Sequence, residues 1–145
     1  MKSQQYKEAR YTVTIAFAQA PTEVFAKLID LSGWWPEEFE GEAIHSNTVF
    51  TLKTGDGHFS KNKVIDFELN KKLSWITTES LRKADNYDWT GSKFIFELTE
   101  DAGKTQLSFT YDGVVLEQEY DVLVAVCNKV IRENLYNFIV KGISK

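Results

Sequence analysis

Cysteine is nearly absent from this chain: Cys127 stands alone in 145 residues, beside Pro 2, His 2 and Met 1. One cysteine excludes an internal disulfide, and with so few histidines it excludes the usual zinc ligand sets. No apolar run of roughly 18 residues or more occurs, so no segment reads as a membrane-spanning helix. Positive charge is not in excess either. Lys+Arg 17 against Asp+Glu 21 leave a net charge of −4, which lacks the electrostatic footprint of a nucleic-acid binder. No Gly-x-Ser-x-Gly elbow, phosphate-binding loop or His-Glu-x-x-His pair is present, and Gly55-Asp56-Gly57 opens no helix as a dinucleotide fingerprint would. What the chain does have is aromatic side chains, 14% of it, with Trp 4, Tyr 6 and Phe 10. Hydrophobic residues at 43% and charged residues at 26% are ordinary for a soluble globular domain. The length suits one domain, since domains cluster near ~100–150 residues.

Residues 1–10 are polar and unpatterned and read as a flexible terminus, leaving 11–145 as the single domain. A small-residue site at Ala18-Gln19-Ala20 superficially suits a cleaved leader. Thr12 and Thr14, however, alternate with Tyr11, Val13, Ile15 and Phe17, so residues 11–17 read as a half-buried strand and the chain as cytoplasmic. Pro21 and Glu23 suit the first turn of a short helix over 21–29. Asp30-Leu31-Ser32-Gly33 breaks it, a second brief turn carries Trp34 and Trp35, and Pro36 ends that element. From 38 to 113 the texture is strand and turn. Thr54-Gly55-Asp56-Gly57, Leu69-Asn70-Lys71-Lys72 and Asp101-Ala102-Gly103-Lys104 read as hairpin turns. Phe94, Phe96 and Leu98 alternate with Ile95, Glu97 and Thr99, and Leu107, Phe109 and Tyr111 with Gln106, Ser108 and Thr110. Lys63, Ile65, Phe67 and Leu69 oppose Val64, Asp66 and Glu68. Serial hairpins without intervening helices predict an antiparallel meander. The period then changes. Leu116, Tyr120, Leu123, Val124, Cys127, Val130, Ile131, Leu135, Phe138 and Ile139 recur at three- and four-residue spacing, predicting one helix over 116–141, ~39 Å long at 1.5 Å per residue, stopped at Gly142.

Several stretches carry a resemblance. PTEVFAKLIDLSGWW resembles the proline-led helix and tryptophan near the start of START-like (SRPBCC) domains. KKLSWITTES resembles the strand with Leu-x-Trp after a turn, and GSKFIFELTEDAGKTQLSFTYDGV resembles the paired last strands. YDVLVAVCNKVIRENLYNFIVKG is similar to the final helix of the branch homologous to the activator of the heat-shock-90 chaperone ATPase. The tryptophan frequent in the family's last helix is absent; Lys129, Val130 and Ile131 stand there. The resemblance spans residues 11–142. It implies an α+β helix-grip fold, like that of the birch-pollen allergen. A curved antiparallel sheet of about seven strands would wrap a long C-terminal helix, with two short helices after the first strand. It also implies a cavity between sheet and helix, with members that bind lipids, sterols, hormones or polyketides, and some that are cyclases.

An apolar pocket with a few polar tips suits a small hydrophobic or aromatic ligand. Candidate ligand-binding residues are Trp34, Trp35, Phe39, Phe50, Trp75, Trp89, Phe109, Tyr111, Tyr120, Val124 and Cys127. For each ring, plain core packing is the commoner role. Polar specificity would come from the tips of Trp34, Trp75, Tyr111 and Tyr120. His45 could carry a proton toward such a cavity, whereas His58 reads as solvent-facing. Glu37, Glu38, Glu40 and Glu42 read as a solvated charged loop, and Cys127 as a small core residue. No catalytic residue, metal or cofactor is assigned. Non-covalent ligand binding is the leading expectation. A chaperone-directed interaction module is the alternative, and a cyclase or dehydratase the second. Val122 and Val126 fall off the inward stripe of the last helix, to be covered by residues 1–10 or by a second copy. Burying two valines contributes at most ~3–6 kcal/mol against an association cost of ~4–15 kcal/mol, which predicts a monomer or a weak dimer.

Overall fold

The computed structural model describes residues 6–35, 38–41, 46–53, 59–81, 90–117 and 120–144. Strands β1 (Tyr6–Phe17), β2 (Glu38–Gly41), β3 (Val49–Lys53), β4 (Phe59–Glu68), β5 (Lys72–Leu81), β6 (Lys93–Asp101) and β7 (Lys104–Leu116) form one curved antiparallel sheet. Their order is β1-β7-β6-β5-β4-β3-β2. Between β1 and β2 lie helix α1 (Pro21–Leu28) and a single 3-10 turn (Leu31–Gly33). Helix α2 (Tyr120–Lys129) runs on into wider π-helical turns over Val130–Leu135 and Asn137–Lys141. This is the helix-grip arrangement.

Two boundaries differ from expectation. Residues 6–10 are strand, not loose chain: Tyr6 to Arg10 pair with Leu116 to Asp112 of β7. Their pattern is hidden because the inward position is the small, buried Ala9, while Lys7, Glu8 and Arg10 bring charges that suit an edge strand. Leu116 is the last residue of β7 rather than part of the last helix, which begins at Tyr120.

Strand parity also breaks twice in the β4–β5 ladder, once on each strand. Bulges between Lys61 and Asn62 and between Val64 and Asp66 each add a residue to the β4 side or the β5 side of that ladder. Val64 and Phe67 therefore sit opposite inward-facing Trp75 and Leu73, three positions apart. Val64 is fully buried and Ile65, expected inside, is 38% exposed.

The register stacks the interior in rows. Val64, Trp75, Phe94, Tyr111 and Tyr11 share one, and Phe67, Leu73, Phe96, Phe109 and Val13 share the next. Ion pairs such as Arg10–Asp112 at 3.1 Å lie on exposed positions, where they contribute little.

The last helix shows why it widens. Leu123, Cys127, Ile131, Leu135 and Ile139 are all buried and recur every fourth residue. Four residues overshoot an α-helical turn by about 40°, so an unbroken α-helix would wind this stripe away from the sheet. A π turn, closed by an i→i+5 bond, takes more residues per turn and winds it back. Gly142, at φ 67°, ends the helix in the left-handed conformation with its N–H on the Asn137 carbonyl. Val122 and Val126 remain 54% and 46% exposed; residues 6–10 go to the sheet and leave them uncovered.

The β6–β7 hairpin closes on Ala102 and Gly103, both at positive φ, 54° and 80°. A two-residue turn of this kind favours Asn at its first position, where alanine's Cβ is strained. Ala102→Asn is expected to raise the unfolding free energy by about 0.5–1 kcal/mol. Urea unfolding with an unchanged or lowered midpoint would contradict it.

Candidate functional site

The expected aromatic residues converge. Trp34 is held by its own backbone context: its indole N–H donates to the Leu28 carbonyl at 3.1 Å, satisfying an acceptor left open at the end of α1. Trp35 packs edge-on against Trp34 at 5.5 Å, Trp75 at 5.6 Å and Phe94 at 5.8 Å. Phe39 on β2 lies 5.3 Å from Phe50 on β3, and Phe50 lies 5.1 Å from Trp75. Phe109 and Tyr111 join through Phe96 at 4.8 Å and Phe94 at 5.4 Å. Seven of the expected residues thus form one aromatic array, closed by Phe94 and Phe96, which the sequence places on a strand but not in the site. Tyr120 and Cys127 reach the core from the last helix, Tyr120 half-buried under the Lys7 ammonium at 4.2 Å and Cys127 buried. Val124 is half-buried, and its carbonyl accepts from Asn128. Trp89, His45 and His58 lie outside the described residues, as do Glu37 and Glu42. Glu38 and Glu40 are exposed, and Glu40 pairs with Lys53 at 2.7 Å.

A band of neutral polar groups borders the rings. The Thr77 hydroxyl donates to Asn62 Oδ1 at 2.8 Å, and both residues are buried. Tyr111 donates its proton to the Val114 carbonyl at 2.7 Å, so the Ser92 hydroxyl, 2.8 Å away, donates to the tyrosine oxygen. Sequence reasoning missed Asn62 because the β4 bulge at Ile65 decides which way it faces, and Thr77 and Ser92 because their burial follows from pairing with Asn62 and Tyr111, far along the chain. Burial pushes the Tyr111 hydroxyl up to about 12, opposed by the Ser92 hydrogen bond and aided by Cys127 and Asp112. Burial alone pushes the Cys127 thiol from 9.0 up to about 12, which makes it an inert core thiol at neutral pH.

The four expected polar tips therefore differ. Trp34 and Tyr111 are satisfied within the fold, and Tyr120 sits at its edge. Trp75 is fully buried, and its Nε1 has no hydrogen-bond partner among the described residues. An unmade bond of this kind costs about 1–3 kcal/mol. No charged side chain is buried among the described residues; the buried polar set is Asn62, Ser74, Thr77, Ser92, Thr105 and Thr110. Nor is any group of three His, Cys, Asp or Glu among them placed to hold a metal. No helix among them is long and apolar enough to cross a membrane.

A separate groove of about 580 Å³ opens between the start of α1, the β4–β5 turn and β6. Glu68, Glu97 and Glu100 face Lys71 and Lys72 there, and none of the expected site residues lines it. Mixed charge and an open rim suit a solvated surface better than an apolar ligand.

Fold and interior together define the class: a helix-grip domain with an aromatic interior. No family model and no curated protein sequence matches the chain. Solved structures share the fold. The Aha1 dimer from Colwellia psychrerythraea is similar over 90% of this chain and 96% of its own, with a TM-score of 0.72 and 16% identity. DynU16, a protein in the dynemicin biosynthetic locus, is similar over 93% of this chain and 48% of its own, at TM-score 0.72 and 17% identity. A protein from Rhizobium leguminosarum is similar over 97% of this chain and 99% of its own, at TM-score 0.72 and 13% identity. At such identities the likeness is one of fold.

Proposed function

We propose that the chain binds one small, uncharged hydrophobic or aromatic molecule between the sheet and the last helix, without chemistry. The observation that carries this is the aromatic array itself: Trp34, Trp35, Phe39, Phe50, Trp75, Phe109 and Tyr111 meet on the inner face of the sheet, beside polar groups that are all neutral. Such a lining gains from dispersion and edge-to-face contact with a flat guest and, among the described residues, offers no counter-ion to a charged one. Tyr120, Val124 and Cys127 are included as the lining from the helix side, and Trp89 is included from the sequence.

N-phenyl-1-naphthylamine, an uncharged probe that brightens in apolar surroundings, tests this. Saturable one-to-one binding at micromolar concentration is expected, abolished in urea. A linear, non-saturating response would remove the proposal.

A protein-docking role is the alternative. It is supported by Val122 and Val126, exposed on the last helix, and by a structural neighbour solved as a dimer. Stimulation of a chaperone ATPase by this chain, lost in Val122→Glu, would favour it; no stimulation would set the chaperone aside.

A further inference from the structure

Two buried side-chain polar atoms among the described residues lack a hydrogen-bond partner, Gln19 Oε1 and Trp75 Nε1, and of the two residues Trp75 is the one in the aromatic core. Trp34 Nε1 has the Leu28 carbonyl, Thr77 has Asn62, Ser92 has Tyr111, and Tyr111 has Val114. Trp75 Nε1 has none. It lies at the centre of the array, with Phe50 edge-on at 5.1 Å, Trp35 edge-on at 5.6 Å, Phe94 stacked at 5.4 Å and Phe96 tilted at 5.3 Å. Carbon rings offer an N–H at most a weak contact to a π face. Buried donors in folded proteins are nearly always paired, so an unpaired one at the centre of the aromatic core marks a group awaiting a partner.

We propose that Trp75 Nε1 donates a hydrogen bond to the bound molecule, which is therefore a flat, uncharged compound carrying a bare acceptor oxygen, such as an aryl ketone. This rests on the binding function above and names the group that is recognised. A ketone oxygen accepts and brings no donor of its own to satisfy. A carboxylate would also accept, but it would bury a charge where no buried cation stands among the described residues. The rings close over the N–H in this structure, so the molecule takes the place of a neighbour. Of the four described rings packed on Trp75, Trp35 alone is not carried by a strand, and in this proposal it is the one that gives way.

Three near-isosteric probes separate the possibilities: 2-acetylnaphthalene, 2-ethylnaphthalene and 2-naphthoate. Titration calorimetry is expected to find the ketone about tenfold tighter than the hydrocarbon, as one added hydrogen bond allows, and the carboxylate weakest of the three. In Trp75→Phe, which keeps a ring but removes the donor, the two neutral probes should bind alike. Proton–nitrogen spectra give a second measurement in the unaltered protein. The Trp75 indole signal, assigned through its contacts to Phe50 and Phe94, should move downfield with the ketone and not with the hydrocarbon. Equal affinity for ketone and hydrocarbon, or a preference that survives in Trp75→Phe, overturns the proposal and leaves apolar binding standing. Binding of none of the three overturns both. If Trp75→Phe does not fold, the indole signal decides: a resonance unmoved at saturating ketone refutes the donor role.

Discussion

Phe96→Ala is expected to lower the unfolding free energy by about 3–5 kcal/mol. Phe96 is fully buried on β6, between Leu73 on β5 and Phe109 on β7. Its ring lies 4.8 Å from Phe109, 5.3 Å from Trp75 and 5.7 Å from Trp34. Removing it strips contacts from three large rings held on different elements, and rings on paired strands cannot close in to fill the space. Domains have only about 5–15 kcal/mol in hand, so this one change removes a large share. Leu69→Ala makes the control, because Leu69 is 68% exposed and its loss should stay within about 0.5 kcal/mol. Urea unfolding of the two variants beside the parent checks both. A Phe96→Ala loss under about 1 kcal/mol would mean that the array can collapse around the gap.

Alkaline pH should weaken the fold steeply. Cys127 and Tyr111 have ordinary values of 9.0 and 10.0 and are both pushed up to about 12 by burial in the folded chain. Below pH 9 both are protonated folded or unfolded, and their full contribution is present. As pH rises from 9 toward 12, the unfolded chain releases these protons while the folded chain keeps them. Ionisation then favours unfolding, and stability falls. At 1.36 kcal/mol for each pH unit, Cys127 alone accounts for about 4 kcal/mol over that window. Urea unfolding at about pH 8 and about pH 11 should show the fall, and Cys127→Val should remove roughly two thirds of it. A flat profile in the parent, or an unchanged slope in the variant, would contradict this origin.

Much of the fold is legible in the sequence because its elements announce their own periods. Phe94-x-Phe96-x-Leu98 and Leu107-x-Phe109-x-Tyr111 alternate cleanly, their hairpin turn holds a glycine, and the last helix repeats at three and four. What could not be read depends on partners far along the chain. Residues 6–10 become strand only because β7 runs on to Leu116 to pair with them. The β4 bulge, which turns Val64 and Asn62 inward and Ile65 outward, arises from the ladder with β5 and leaves no mark in local composition. The strict four-residue stripe from Leu123 to Ile139 was visible, yet it signals π-helical widening only once that face is known to stay on the sheet. For the candidate site, aromatic excess pointed to the right rings but not to Phe94 and Phe96, nor to the neutral band of Asn62, Thr77 and Ser92. The unpaired N–H of Trp75 is a property of the packed interior and has no signature in the chain.

Native mass spectrometry of the protein, purified without denaturation after exposure to a cell extract, tests most directly whether the interior holds a guest. The 16.7 kDa chain should carry a single added mass, of about 150–500 Da for a molecule that fits a domain of this size. That mass should be released on unfolding, extract into organic solvent as a neutral compound, and be lost or reduced in Trp75→Phe. Bare chain at every extract concentration, from protein that also leaves the uncharged probe unbound, would contradict the binding function.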